Sequence, residues 1–144
     1  MKTTEKRFED KLIGAMRDAG FFCIHPNIMN QDGFPDLIAV QGDKVSLIEV
    51  KVAESLDDLM DKSFQPTQYP FYVHYTRSGG GSLWISFDIH GQGHLFKVGL
   101  EMLKKWKELT WAKALELSPV RWFGPPWLLA TQLRQHLRGE PWAG

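Results

Sequence analysis

Two acidic residues and a lysine sit at spacings from which their side chains would converge. Gly42-Asp43 separates two apolar runs, Pro35 to Val40 and Val45 to Val52, and Gly at the first central position suits a two-residue hairpin turn. With that turn, Gln41 faces Lys44, Val40 faces Val45, Ile38 faces Leu47, and Asp36 comes opposite Glu49. Cβ atoms of directly opposed residues lie roughly 4.5–5.5 Å apart, where like charges repel. Lys51, two residues beyond Glu49, points to the same face. Val45 and Leu47 share that face, while Ile48, Val50 and Val52 line the other. Strands apolar on both faces are normally covered on both, and buried charges need partners. Two acids beside one lysine leave a negative excess. A hard divalent cation such as Mg²⁺, which prefers carboxylate oxygens, would remove it.

Glu9 supplies a third acid. Phe8, Leu12, Ile13, Ala15, Met16 and Ala19 make one helical stripe. At about 100° per residue Glu9 falls inside that apolar arc, so packing the helix on the sheet could bring it to the site. A purely structural reading is available for each residue: a strand-end Glu49–Lys51 salt bridge, Asp36 as an acid near a turn, Glu9 at a helix margin. Taken together in this register, the four residues favour a metal site.

The elements that must position them follow from periodicity and punctuation. The first helix ends at Gly20, and Phe21 to His25 reads as a short strand stopped by Pro26. A polar loop, Asn27 to Gly33, precedes the hairpin, and Asp57 to Gln65 is a second polar loop or frayed turn. A helix follows from about Pro66 to Arg77. Ser78-Gly79-Gly80-Gly81 lacks the Lys-Ser/Thr pair of a phosphate loop and reads as a helix end and turn. Leu83 to Asp88 and His94 to Val98 form a hairpin about Gly91-Gln92-Gly93; Leu100 to Leu117 and Trp127 to Arg138 are helices. The order helix, strand, strand, strand, helix, strand, strand predicts an α/β fold with a mixed sheet flanked by helices. A boundary near residue 99 divides a core, 1–98, from a helical C-terminal extension, 99–144.

With 144 residues and 43% hydrophobic composition the chain can bury a core. One cysteine, Cys23, excludes a disulfide framework and cysteine-rich metal sites. No apolar run approaches the roughly 20 residues that span a bilayer, and the N-terminal residues lack the apolar stretch of a signal peptide; a cytoplasmic, membrane-free protein is expected. Net charge is zero, but residues 1–95 hold 9 Lys and Arg against 13 Asp and Glu, and residues 96–144 hold 8 against 4. The basic part carries Trp106, Trp111, Trp122, Trp127 and Trp142, which suit core packing and nucleic-acid contact equally.

Pro35-Asp36 followed by Glu49-Val50-Lys51 resembles the signature of the PD-(D/E)XK nucleases. Within them the chain is most similar to archaeal-type Holliday-junction resolvases and VRR-NUC domains. In those proteins a helical Glu, a Pro-Asp strand, a Glu-x-Lys strand, a Gln-bearing helix and a Gly-rich turn before a strand recur in order. Here these are Glu9, Asp36, Glu49 to Lys51, Gln68, and Ser78 to Leu83, spanning roughly residues 5–98. The resemblance implies a restriction-endonuclease-like αβββαβ core and a Mg²⁺-dependent DNA endonuclease, with Mn²⁺ able to substitute. Asp36 and Glu49 would bind the ion with the main-chain carbonyl of Val50, and Glu9 would bind it directly or through water. Lys51 would orient or help activate the attacking water, and Gln68 would support the site. The serine that some archaeal resolvases carry before the Pro-Asp strand is missing from the Asn27–Gly33 loop.

Resolution of a four-way junction needs two paired cuts and so a homodimer. Lys6, Arg7 and Lys11 are candidate contacts to phosphate, as are Lys104, Lys105, Lys107 and Lys113 of the C-terminal region. Other readings remain: a RecB-like end-processing exonuclease, to which Gln65-x-x-x-Tyr69 and Gln68-x-x-x-Tyr72 conform; a non-catalytic DNA-binding module; and a metal hydrolase of another substrate class. The five histidines are scattered, and none pairs at ligand spacing.

Overall fold

The computed structural model describes residues 3–26, 33–79 and 81–140. The elements are α1 (Thr3–Asp18), β1 (Phe22–Ile24), β2 (Leu37–Gln41), β3 (Lys44–Val52), a 3₁₀ turn (Met60–Ser63), α2 (Gln68–Ser78), β4 (Ser82–Ile89) and β5 (Gln92–Lys97). There follow α3 (Leu100–Lys104), a second 3₁₀ turn (Trp106–Glu108), α4 (Trp111–Leu117), β6 (Arg121–Gly124) and α5 (Pro126–Leu137). The strands make one mixed sheet in the order β1 to β6, with β3 and β4 parallel and every other pair antiparallel. The helix–strand–strand–strand–helix–strand order and the mixed, helix-flanked sheet are those expected from the sequence.

The first hairpin has the expected register, Gln41 opposite Lys44 through Leu37 opposite Ile48. Gly42 adopts φ +61° while Asp43 does not share a positive φ, as a turn with Gly at its first central position requires. Parallel β3 and β4 need a crossover, which α2 provides. Pro70 is accommodated there because it lies in the first helical turn, where N–H groups have no intrahelical acceptor.

Each face of the sheet has its own core. On one side Leu37, Ile48, Val50, Trp84 and Leu95 pack against Phe8, Leu12 and Met16 of α1 and Leu129 and Leu133 of α5. On the other, Leu47, Leu83, Ile85, Phe87 and Phe96 pack against Tyr72 of α2 and against Met102, Trp106 and Trp111.

Three expectations are corrected. The segment after residue 98 is not purely helical: Arg121–Gly124 pair with Gly93–Phe96, and α5 packs beside α1, so this segment completes the same sheet and core. The helix expected over 100–117 is broken, because the Leu109 carbonyl and the N–H groups of Trp111 and Ala112 bond to Met60, Asp58 and Leu56 of the preceding loop. Thr110 then caps α4, its hydroxyl accepting from the Lys113 N–H at 3.2 Å. The β4–β5 turn is His90-Gly91, at φ +49° and +86°, and Gln92 and Gly93 belong to β5.

Gly93 is glycine for packing. A Cβ there would stand 2.8 Å from the Gly124 carbonyl oxygen, 3.1 Å from Leu129 and 3.2 Å from Phe8. Gly14, inside α1, has nothing within 4 Å of such a position. Gly93→Ala is therefore expected to destabilise the fold by about 1–3 kcal/mol, and Gly14→Ala to stabilise it by about 0.5–1 kcal/mol. Urea unfolding of the two variants checks the opposite signs.

Candidate active site

The expected acids and lysine meet at the end of the sheet where β2 stops. Pairing with β2 ends at Ile48, while β3 continues beside β4 to Val52. Asp36 lies one residue before β2. Its Oδ2 accepts the Val50 N–H at 2.8 Å, so its side chain occupies the place a longer β2 would fill. Gly33, at φ +89°, itself lies against Thr67 at the start of α2; a Cβ would collide with the Thr67 carbonyl. Phe34 packs edge-on against Phe71 at 5.3 Å between centroids, anchoring the same segment.

Glu49 and Lys51 both face α2, as the alternation predicts. The Glu49 side chain is buried, 3% exposed. Its Oε2 accepts Gln68 Nε2 at 2.7 Å and lies 3.3 Å from Lys51 Nζ. Gln68 Oε1 accepts the Gln65 N–H at 2.8 Å and Lys51 Nζ at 3.3 Å, so Gln68 orients both charges. Lys51 Nζ also stands 4.7 Å from the centre of the Phe64 ring, a cation–π contact. Glu49 Oε1 is buried with no hydrogen-bond partner among the described residues.

Burial raises the pKa of Glu49, and the Asp36 charge raises it further, to about 8; Lys51 and the hydrogen bond from Gln68 oppose the shift. Asp36 is also raised by burial, against the lowering effects of the Val50 N–H, Lys51 and His25. The Asp36 charge acts on Glu49, so with both ionised the contact is repulsive.

Glu9 is fully buried, but α1 covers the opposite face from Glu49. Its apolar stripe packs on Leu37, Ile48 and Val50, and this carries Glu9 to the far side of Asp36. Burial, then the Asp36 charge, raises its pKa. Among the described residues no three His, Cys, Asp or Glu side chains are grouped to hold one ion. Asp36 and Glu49 come together; Glu9 adjoins them without joining their cluster.

Of the candidate phosphate contacts, Lys6 pairs with Asp10 at 3.1 Å. Arg7 and Lys11 are exposed and line a cavity of about 220 Å³ with Thr4, Asp88, Gly91 and Pro126. The C-terminal lysines do not share one helix: Lys104 and Lys105 approach Glu101, and Lys113 pairs with Glu116 at 3.3 Å on α4. Trp106 and Trp111 are core residues, Trp122 stacks on Trp84, and Trp127 is 64% exposed. The Asn27–Asp32 part of the loop, and Trp142, lie outside the described residues.

Sequence reasoning missed His25 and Phe64 at the site, and reached Tyr72 only through the Gln68-x-x-x-Tyr72 spacing. His25 Nδ1 lies 2.7 Å from the Asp36 carbonyl oxygen and 2.9 Å from Glu9 Oε1. Tyr72 is fully buried beneath the site, with no hydrogen-bond partner for its hydroxyl among the described residues. Burial, then Glu49 and Asp36, holds its pKa well above the ordinary phenol value. The β1–β2 pairing, Ile24 opposite Ile38, is what carries residue 25 towards Asp36.

No family model matches the chain, and no curated protein does. Among solved structures it is similar to Hjc of Archaeoglobus fulgidus, a Holliday junction resolvase from an archaeal hyperthermophile. The identity is 20%, the TM-score 0.49, and the match covers 75% of this chain and 97% of that one. Among the described residues, no helix is long and apolar enough to cross a membrane.

The raised carboxyls have a thermodynamic consequence. Between the ordinary glutamate value of 4.5 and about 8, the folded chain holds a proton at Glu49 that the unfolded chain has lost. Stability in the absence of divalent ions should therefore be greatest below pH 4.5 as far as this group is concerned, and should fall as pH rises towards 8. Glu49→Gln should flatten that fall, as read from urea midpoints across the window in EDTA.

Proposed function

We propose that this chain is a Mg²⁺-dependent deoxyribonuclease that hydrolyses phosphodiester bonds, acting as an endonuclease on branched DNA. The observation that carries the reading is the buried Glu49 carboxyl, set against Asp36 with one oxygen unpartnered and the other held by Gln68 and Lys51. Left ionised, such a pair is destabilising; a divalent ion makes both charges favourable. The unpartnered oxygen of a hard carboxylate is the donor such an ion takes.

Asp36 and Glu49 would hold the ion, together with the Val50 carbonyl, and Glu9 would act through water from the other face. When bound, the ion supplies Lewis-acid polarisation of a phosphate and lowers the pKa of water. Lys51, held by Glu49, Gln68 and Phe64, would supply one positive charge where the attacked phosphate gains negative charge. Gln68 keeps Lys51 and Glu49 in that orientation. Arg7 and Lys11 would meet the DNA backbone, and paired cuts across a junction would need a homodimer.

One observation favours a RecB-like end-processing exonuclease as the second reading. Gln68 and Tyr72, four residues apart on α2, are both buried on the Glu49 side.

The test is a panel of four-way junction, blunt duplex and single-stranded DNA, incubated with Mg²⁺, Mn²⁺ or EDTA. Junction cutting that requires the ion is the expected result; cutting confined to duplex ends would transfer the proposal to the exonuclease. Lys51→Ala should lower the rate by about 10²–10³-fold while circular dichroism stays unchanged. An absence of cutting on every substrate with either ion would overturn the reading and leave a non-catalytic DNA-binding module.

A further inference from the structure

Asp36 is clamped from two sides. Towards β3 its carboxylate accepts the Val50 N–H. Towards β1 its main-chain carbonyl accepts Nδ1–H of His25 at 2.7 Å. A carbonyl can only accept, so this contact settles the tautomer at Nδ1: that nitrogen carries its proton. The same nitrogen stands 2.9 Å from Glu9 Oε1. Both Glu9 oxygens are otherwise buried without hydrogen-bond partners among the described residues. The N–H is aimed at the Asp36 carbonyl, so the approach to Glu9 is a contact of charge and dipole and not a second directed hydrogen bond. Among the described residues, His25 is the one basic side chain within ion-pairing distance of Glu9.

This arrangement follows from the fold. The antiparallel pairing of β1 and β2 brings Ile24 opposite Ile38, and His25, the residue after β1, reaches the Asp36 carbonyl. α1 lies over that face, so Glu9 descends beside the same ring. One imidazole therefore links an acid on a helix to the backbone of an acid at a strand end, across the line where the two faces of the sheet meet.

We propose that His25 is a positioning residue that sets the separation of Asp36 and Glu9 for a divalent cation. The proposal rests on the reading that Asp36 and Glu49 hold such an ion. It assigns His25 no part in proton transfer. Groups that orient metal ligands typically change metal affinity by about 10–100-fold when removed.

The experiment measures Mn²⁺ binding to the full chain without DNA, by calorimetry and by the electron paramagnetic resonance of free Mn²⁺. The proteins are the unmodified chain, His25→Ala, His25→Asn and Glu49→Gln. The asparagine amide occupies the position of Nδ1 and can donate to the Asp36 carbonyl. His25→Ala should weaken Mn²⁺ binding by about 10-fold or more, and His25→Asn should restore it to within about threefold. Glu49→Gln should abolish it. Equal affinity in His25→Ala and the unmodified chain would overturn the positioning role while leaving the metal reading intact, as would an asparagine variant as weak as the alanine one. An unmodified chain that binds no Mn²⁺ would overturn both. Thermal unfolding in EDTA identifies a variant that fails to fold; should His25→Ala do so, His25→Leu, which keeps bulk and lacks the donor, takes its place with the same expected and overturning results.

Discussion

The register of a single hairpin determines most of what this molecule can do. Because side chains alternate with a period of two, a slip of one residue would turn Glu49 and Lys51 into the α1 face and Val50 into the α2 face. Both faces are packed, so the slip would bury two charges among Phe8, Leu12 and Met16 and strand an apolar side chain beside Gln68. The turn at Gly42-Asp43 and the two-sided burial of β3 fix the register together. The close approach of Asp36 and Glu49 is the consequence, and it is unfavourable by itself. A fold that keeps such a contact must meet its cost elsewhere, and the surroundings of Glu49 show how. The ammonium of Lys51 and the hydrogen bond from Gln68 oppose the shift that burial imposes, and the Phe64 ring lies beneath that ammonium.

The supporting groups come from two directions. Gln68 occupies the first turn of α2, and its side-chain Oε1 is pinned by the Gln65 N–H of the preceding loop. Lys51 is thereby oriented by residues fixed through the crossover that parallel β3 and β4 require. On the other face, α1 brings Glu9 under cover of a stripe whose remaining members are apolar. The site is assembled where these two packing schemes touch, and Asp36, one residue outside β2, feels charges from both.

The parts of this arrangement that depend on local chemistry were legible in the sequence. The hairpin turn, the alternation along β3, the stripe of α1 and the Pro-Asp and Glu-x-Lys strands needed only neighbours and periods. What failed depended on distant contacts. Arg121 to Gly124 is short, charged at its start and followed by two prolines, and only pairing with β5 makes it a strand. Periodicity over 100–117 is helical throughout, yet the backbone at 109–112 finds better partners in the loop at 56–60. Gly91 and Gly93 each suit a turn, and which one makes it is decided by the crowding of Gly93 between β6, α1 and α5. His25 escaped notice because its role requires the β1–β2 register, set across a loop that carries no periodic signal.

A further constraint explains why the acids and the lysine gather at this point and not elsewhere along the hairpin. From Leu37 to Gln41, β2 satisfies the edge of β3, and no ligand could reach those backbone groups. Beyond Ile48 the neighbour is gone while β4 continues on the other side. Pro35 could not have extended the ladder as a donor, since it has no N–H. The Asp36 carboxylate takes the Val50 N–H instead. That substitution replaces a neutral backbone acceptor with a charged one, inside a sheet that remains covered on both faces. The ladder's interruption thus sets a negative charge against the edge of β3, and residues 49–51 are the stretch of β3 beside it.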